Sequence, residues 1–449
     1  MVLALLLYSA DIYLDPRPEG TSEQIESLRE RDDVNILFIV IDTLRADRLS
    51  GYGYGRKTSP GLDYLADEGI RFARHRAQSS WTKNSMASMW TGLYPIRSGV
   101  IRHSDALPAE AIMPAEIFRD AGFATAGIWR NGWVAPNFGF SQGFDIYQSP
   151  LTRSSPPEFR LKPRAGRIDG TDIDVIFSAN EFMRSNVDQK WMLYLHLMDV
   201  HQYVTSDESA VFGTSYSDAY DNSILWVDQQ IRALTGELDR LEMRDRTLVV
   251  VISDHGEAFG EHGREGHARD VYGEVTLTPW IISFPFRLPK GMVVQDVTQN
   301  VDVWPTLLDL LGLPPIEDSD GVSQVGALLG EHPATDPGTE EQVDFAHLDR
   351  TWGRVHEEPE PTLGVRVGQY RLVRYFLDGE WEEQLFDLEA DPYEQNDIAG
   401  DRAGVLASLQ QRADEYLDQE VVWENGITNV ELDDMDLMQL RALGYSIEE

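Results

Sequence analysis

The segment Val34-Asn-Ile-Leu-Phe-Ile-Val-Ile41 is almost continuously apolar, rich in β-branched residues, and stops at Asp42. A half-exposed strand alternates apolar with polar residues, so an unbroken run reads as a strand buried on both faces. Such strands belong to parallel sheets with helices on each side. Phe123–Ile128, Trp191–Leu197 and Thr247–Ser253 have the same character, and Trp280–Phe284 is a weaker fifth. Helical patterns fall between them. Ser59-Pro60 opens one and Gly69 closes it, and Pro114 to Gly122 repeats that punctuation. Tyr220, Ile224, Val227, Ile231, Leu234 and Leu238 recur every three or four residues, the stripe of a core-facing helix. This alternation predicts an α/β main body with a largely parallel sheet.

From Gly312 to about Gln342 the chain turns rich in proline, glycine and acid, the mark of a boundary. Beyond it, Gly364–Phe376 alternates like a strand, Asp378-Gly379 forms a hairpin turn and Gln384–Leu388 returns. A helix is expected over Ala403–Leu417. The expected organisation is an N-terminal segment and polar linker over 1–32, a catalytic domain over 33–335, and a C-terminal subdomain over 336–449. That subdomain is a small antiparallel sheet plus a helix.

Composition narrows the chemistry. A formal net charge of −38 over 449 residues argues against a nucleic-acid partner, because phosphate backbones would be repelled. The absence of cysteine excludes disulfides, thiolate metal sites and thiol nucleophiles together. With only five lysines among 38 basic residues, an anionic substrate needs a local attractor such as a metal ion. The apolar run Met1–Leu7 is far short of the roughly 20 residues that span a bilayer. Read as the tail of a truncated signal or anchor, it places the chain in the periplasm or outside the cytoplasm, with membrane association through that segment.

In an open parallel sheet, ligands bind beyond the carboxyl ends of the strands. The first strand delivers Asp42-Thr43 there, the Trp191 strand delivers His196, Asp199 and His201, and the Thr247 strand delivers Asp254-His255. A single aspartate at a strand end is usually a turn or cap residue; three acidic or imidazole ends together point to a metal. Mixed carboxylate and imidazole ligands suit Zn²⁺ or Mn²⁺ better than Ca²⁺. The glycine-rich loop after His255 carries His262 and His267, and His267 reads as a second metal ligand or an acid for the leaving group. In Ser79–Gly92 a tightly packed helix is expected from near Asn84, with Thr82 at its entrance. Thr82 there is either a helix cap or, beside a metal ion, a nucleophile.

These residues resemble the sulfatases of the alkaline phosphatase superfamily. Asn35–Asp47 resembles the first metal-binding strand, and Ser253-Asp-His-Gly-Glu257 the later metal-binding turn. Trp81-Thr82 with Thr91-Gly92-Leu-Tyr-Pro95 resembles the nucleophile helix, and Leu195–His201 the segment with a leaving-group histidine. Asp302–Asp309 and Gln384–Pro392 are also similar to the family, so the resemblance spans most of the chain. It implies an alkaline-phosphatase-like fold and a divalent metal held by Asp42, Asp254 and His255, with Thr82 as nucleophile and further ligand. It also implies that His201 and His267 serve substrate or leaving group, and that Arg45 and Arg130 are substrate-binding cations. Thr43 stands where many sulfatases have a second ligating aspartate.

Position 82 departs from the family. Sulfatases convert a Cys or Ser within a Cys/Ser-x-Pro-Ser-Arg pattern to formylglycine, whereas this chain reads Thr82-Lys-Asn-Ser-Met86. Threonine cannot become that aldehyde hydrate. A threonine nucleophile resembles instead the phosphoethanolamine and glycerol-phosphate transferases of the same superfamily, in which a phosphothreonine is resolved by in-line attack. Three readings follow. The first is a metal-dependent hydrolase or transferase acting on phosphate, phosphonate or sulfate esters of a small molecule, glycan or lipid. The second is a formylglycine-free sulfatase of sulfated sugars, and the third a catalytically silent binding protein on the same fold.

Overall fold

The computed structural model describes residues 15–152, 159–160, 169–330, 343–352 and 357–431. The Met1–Leu7 run and residues 331–342 of the boundary tract lie outside the described residues. The main body is an eight-stranded sheet. Its strands are β1 (Asn35–Ile41), β2 (Ile70–Arg76), β3 (Ala124–Trp129), β4 (Ile146–Gln148), β5 (Trp191–Leu197), β6 (Thr247–Ile252), β7 (Leu277–Ser283) and β8 (Met292–Gln299). They are ordered β8-β2-β7-β6-β1-β5-β3-β4. Every adjacent pair is parallel except the two made by β7, which runs antiparallel to both β6 and β2.

The continuous apolar runs form the middle of this sheet, and every residue of β1, β5 and β6 is buried. Alternation of side chains across the sheet splits β1 between two cores. Ile36, Phe38 and Val40 face one core, and Leu37, Ile39 and Ile41 the other. The first core is closed by α2 (Thr82–Thr91), α3 (Pro114–Asp120) and α6 (Val303–Leu310). The second is closed by α1 (Pro60–Asp67), α4 (Asp172–Ser185) and α5 (Tyr216–Arg240). All six residues of the Tyr220–Leu238 stripe lie in that second core. Each such apolar side chain contributes about 1.5–3 kcal/mol by leaving water.

Three strands of this sheet escaped the sequence reading. β2 and β8 carry charged residues and pair at the sheet edge, and β4 is only three residues long. The segment read as a polar linker is not free of the body. Its short helix Ser22–Glu26 and following turn place Ile25 and Leu28 in the first core, and Arg17 hydrogen-bonds Ser283 Oγ and the Phe284 carbonyl.

The C-terminal layer is an antiparallel meander of β9 (Val343–Asp349), β10 (Pro361–Val367), β11 (Tyr370–Leu377) and β12 (Glu380–Asp387), with α7 (Ala403–Leu417) on one face. The Gly364–Phe376 run expected as one strand is two, because the chain reverses at Gly368-Gln369. Asp378 and Gly379 both have positive φ (50° and 85°), the geometry of the expected two-residue hairpin turn. Leu363, Val365, Leu372 and Leu385 pack under α7, whereas Ala346, Leu348, Val373 and Phe386 on the other face join the first core of the main body.

Candidate active site

Four adjacent parallel strands, β6, β1, β5 and β3, point their carboxyl ends at one crevice. Ile41 stands opposite Leu197 and Val40 opposite Ile252, so the residues that follow these positions emerge side by side. Asp42 follows β1, and Asp254 and His255 follow β6. His196 lies within β5, His201 just beyond it, and Asn131 follows β3. Helix α2 supplies Thr82. The helix starts at Thr82 itself rather than near Asn84, and Trp81 occupies the cap position. Thr82 is therefore not a cap, and its side chain turns to the cluster. Thr82 Oγ1 lies 3.1 Å from His255 Nε2 and accepts a hydrogen bond from Asn131 Nδ2 at 3.2 Å.

The hydrogen-bond network assigns the protons. His255 Nδ1 faces the Gly256 carbonyl at 3.0 Å and must donate to it, which leaves the Nε2 lone pair facing Thr82 and the aspartates. His196 Nε2 sits 3.0 Å from Asp42 Oδ2, and its Nδ1 lies 2.7 Å from the Tyr194 hydroxyl. Nε2–H therefore donates to the carboxylate and the tyrosine donates to Nδ1. Asn131 Nδ2 reaches the same Asp42 oxygen at 2.6 Å. Asp254 Oδ1 accepts the backbone N–H groups of His255 and Thr43. Thr43 holds a positive φ of 61°, rare for a β-branched residue, so the backbone is strained where it turns out of β1. Its hydroxyl folds back onto the Asp42 carbonyl, and its backbone serves Asp254.

This leaves Asp42 Oδ1 and Asp254 Oδ2 buried with no hydrogen-bond partner among the described residues. His255 Nε2 is 3.4 Å from the Asp254 oxygen and 3.9 Å from the Asp42 oxygen. Donors around a tetrahedral Zn²⁺ at ~2.1 Å stand ~3.4 Å apart, so these atoms with Thr82 Oγ1 fit a small divalent cation. The electrostatics agree. Burial pushes Asp254 up to about 7, and the charge of Asp42 adds to the push. Burial also opposes ionisation of Asp42, but His201, His196 and His255 outweigh it and hold that carboxyl well below the usual range. Two buried carboxylates in mutual repulsion are what a cation between them relieves. Asp42, His196 and Asp254 can each bring one ligand atom within 4.8 Å of the others. Because His196 Nε2 carries the proton it gives to Asp42, that histidine orients the carboxylate.

His267 and His201 close the other side. The His267 ring lies 4.7 Å from that of His255 and 5.0 Å from that of His201, and its Nδ1 is 2.8 Å from Glu257 Oε2. The loop thus folds back at His267 but not at His262, which stacks on Tyr272 and faces Glu274 and the Glu394 carbonyl. Neither expected substrate-binding arginine turns its guanidinium to the cluster. Arg130 is buried on Asp172, Asp199 and the Gly170 carbonyl, and Arg45 binds Asp47, Glu261 and the Glu257 carbonyl. In this negatively charged chain both cations are drawn to internal carboxylates; Asp199 is spent in the same way.

Sequence reasoning missed Asn131, Glu257 and Lys83. Asn131 was reachable, since it lies just past the apolar run Phe123–Ile128, one of the strands the sequence shows. Lys83 pins the first turn of α2: it donates to the His103 and Asp105 carbonyls among the rings of Trp81, Trp133 and Phe138. Burial pushes its amine well below the usual lysine value. The Asp254 backbone has its own support, a chain in which His75 holds Asn300, and Asn300 with Ser85 hydrogen-bonds the Asp254 carbonyl.

Fold and crevice together gather carboxylate, imidazole and hydroxyl groups at the carboxyl ends of neighbouring parallel strands of an α/β body. Residues 34–313 match the sulfatase family, and residues 260–420 match the C-terminal region of N-sulphoglucosamine sulphohydrolase. The chain belongs to the sulfatase family, and it is a sulfatase-family ester hydrolase. It is 25% identical to an ulvan-active sulfatase of Formosa agariphila, over 84% of this chain and 80% of that protein. It is 26% identical to a choline-sulfatase of Rhizobium meliloti, over 82% and 83% of the two chains. Among solved structures, the phosphonate monoester hydrolase of Agrobacterium radiobacter shares the fold at a TM-score of 0.67 and 20% identity, covering 89% of this chain and all of that one. Among the described residues no helix is long and apolar enough to cross a membrane.

Proposed function

We propose that this hydrolase depends on one divalent metal ion and uses the unmodified hydroxyl of Thr82 as its nucleophile. The observation that carries the reading is the convergence of Thr82 Oγ1, His255 Nε2 and two partnerless carboxylate oxygens at one point. Asp42, Asp254, His255 and Thr82 would hold Zn²⁺ or Mn²⁺. Such an ion supplies positive charge for an anionic ester and favours the alkoxide over the alcohol. The entrance of α2 favours the same alkoxide through the helix dipole. Thr82 Oγ1 attacks sulfur or phosphorus, the bond to the alcohol oxygen breaks, and that oxygen takes a proton from the His201–His267 pair. Water then attacks the same sulfur or phosphorus in line and returns a proton to the His201–His267 pair; the bond to Thr82 Oγ1 breaks, which releases the inorganic oxyanion and restores Thr82. Glu257 fixes the tautomer of His267.

Thr82 favours phosphate or phosphonate esters, because a direct oxygen nucleophile on phosphorus needs no aldehyde hydrate for release. Sulfate esters of sugars are the second reading, favoured by relatives such as an N-acetylgalactosamine-6-O-sulfatase of Bacteroides thetaiotaomicron, 25% identical over 84% of this chain. The division at residues 335/336 belongs to the same proposal. The test is kcat/KM on matched phosphate monoesters, phosphate diesters, phosphonates and sugar sulfates, before and after chelation. A phosphorus ester preferred and metal-dependent supports the first reading; a preferred sugar sulfate supports the second. Turnover that survives complete metal removal contradicts both.

A further inference from the structure

A cavity of about 780 Å³ lies where the edge of the eight-stranded sheet meets the C-terminal sheet and the start of α7. None of its lining residues belongs to the Thr82 cluster. Its wall carries three arginines, Arg74 and Arg76 from β2 and Arg366 from β10, against one carboxylate, Glu389. In a chain of net charge −38 such a concentration of cations runs against the general field. The acids nearby do not balance it. Asp344 is shared, 3.8 Å from Arg76 Nε and 3.5 Å from Arg366 Nη1. Glu394 is committed to Arg371 at 2.9 Å.

Arg76 is the least satisfied member. Its Nε and Nη1 are buried without a hydrogen-bond partner among the described residues, and burial together with the nearby charge of Arg371 pushes the guanidinium down to about 10. A buried guanidinium without acceptors costs stability unless an anion completes it. The opposite wall adds donors. Gly404 and Val405 lie in the first turn of α7, a 15-residue helix with no side-chain cap and no acid in that turn. Its first backbone N–H groups have no partner within the helix and carry the positive end of the dipole.

We propose that this cavity is a second anion site, separate from the catalytic cluster, that binds a sulfate or phosphate group. The group is either the free inorganic ion or the same group carried on an extended ester substrate. Calorimetric titration of the full chain with inorganic sulfate, inorganic phosphate and a multiply sulfated oligosaccharide separates these sources. Saturable binding of an inorganic ion assigns the first; binding of the oligosaccharide alone assigns the second. In either case Arg74→Gln/Arg366→Gln must weaken that binding by about tenfold or more, as expected for lost charge-assisted hydrogen bonds. Arg74→Gln alone, at an exposed position, must weaken it less, and Glu389→Gln must tighten it. Turnover of a small aryl ester stays unchanged in all three variants. Binding that is equal in the double variant and the parent, or absent for all three probes, overturns the proposal.

Discussion

Replacing Asn131 by alanine tests whether the cluster acts as one preorganised unit. The side chain gives one N–H group to Asp42 Oδ2 at 2.6 Å and lies 3.2 Å from Thr82 Oγ1, while its own oxygen accepts the Trp133 backbone N–H at 2.8 Å. Asn131→Ala leaves Asp42 Oδ2 with His196 alone and frees the Thr82 hydroxyl to rotate. A hydrogen bond to a charged partner contributes about 1.5–3 kcal/mol, and each 1.36 kcal/mol is about tenfold in rate. The expected result is a loss of about 10–100-fold in kcat/KM, with metal affinity falling in parallel because Asp42 is less well oriented. Asn131→Asp should lose more, since it sets a third carboxylate against Asp42. The assay is steady-state turnover together with metal content by mass spectrometry on protein whose unfolding midpoint has been checked. An Asn131→Ala enzyme within twofold of wild type in kcat/KM would refute the reasoning.

Loss of His201 or His267 should slow esters with poor leaving groups far more than activated aryl esters, because only the former need a proton; equal losses on both would deny the acid role. His262 has acceptors at both ring nitrogens, and although burial opposes its charge, Glu274 and the Glu394 carbonyl raise it to about 9 from an ordinary 6.5. Its protonated form therefore stabilises the fold fully below pH 6.5, and that contribution is lost as pH rises through about 9. His262→Gln should cost about 1–2 kcal/mol at pH 6 after solvent screening, a deficit that disappears by pH 10; a deficit constant with pH would contradict this. Trp304 stacks on Trp90 of α2 at 5.0 Å and tilts over Phe38 at 4.6 Å, so Trp304→Ala should cost about 3–5 kcal/mol in denaturant unfolding. A loss below about 1 kcal/mol would show that this packing does not hold the helix.

Legibility followed burial. β1, β5 and β6 were readable because a strand buried on both faces leaves an unbroken apolar run, and the aspartates just past them mark the crevice. β2, with its Arg71, Arg74 and Arg76, looks like loop because it is only partly buried and its less buried positions carry charge. The same limit applies within the site. The placing of Asp42, Thr82, Asp254 and His255 at strand and helix ends was legible because apolar runs and helix punctuation mark those ends. Where Arg45 and Arg130 turn was not legible, because sequence shows a cation but not the carboxylate that pairs with it. The role of Asn131 depends on β3 lying beside β5, a pairing that no local pattern states.

The central claim is that Thr82 itself carries the transferred group. Acid quenching of the enzyme during turnover of a slow ester, followed by peptide mass spectrometry, measures this directly. The account predicts a phosphoryl or sulfuryl adduct on the peptide containing Thr82, absent from Thr82→Ala, which should also retain only background turnover, while Thr82→Ser keeps both adduct and activity. An adduct on another peptide, or wild-type turnover in Thr82→Ala, would contradict it.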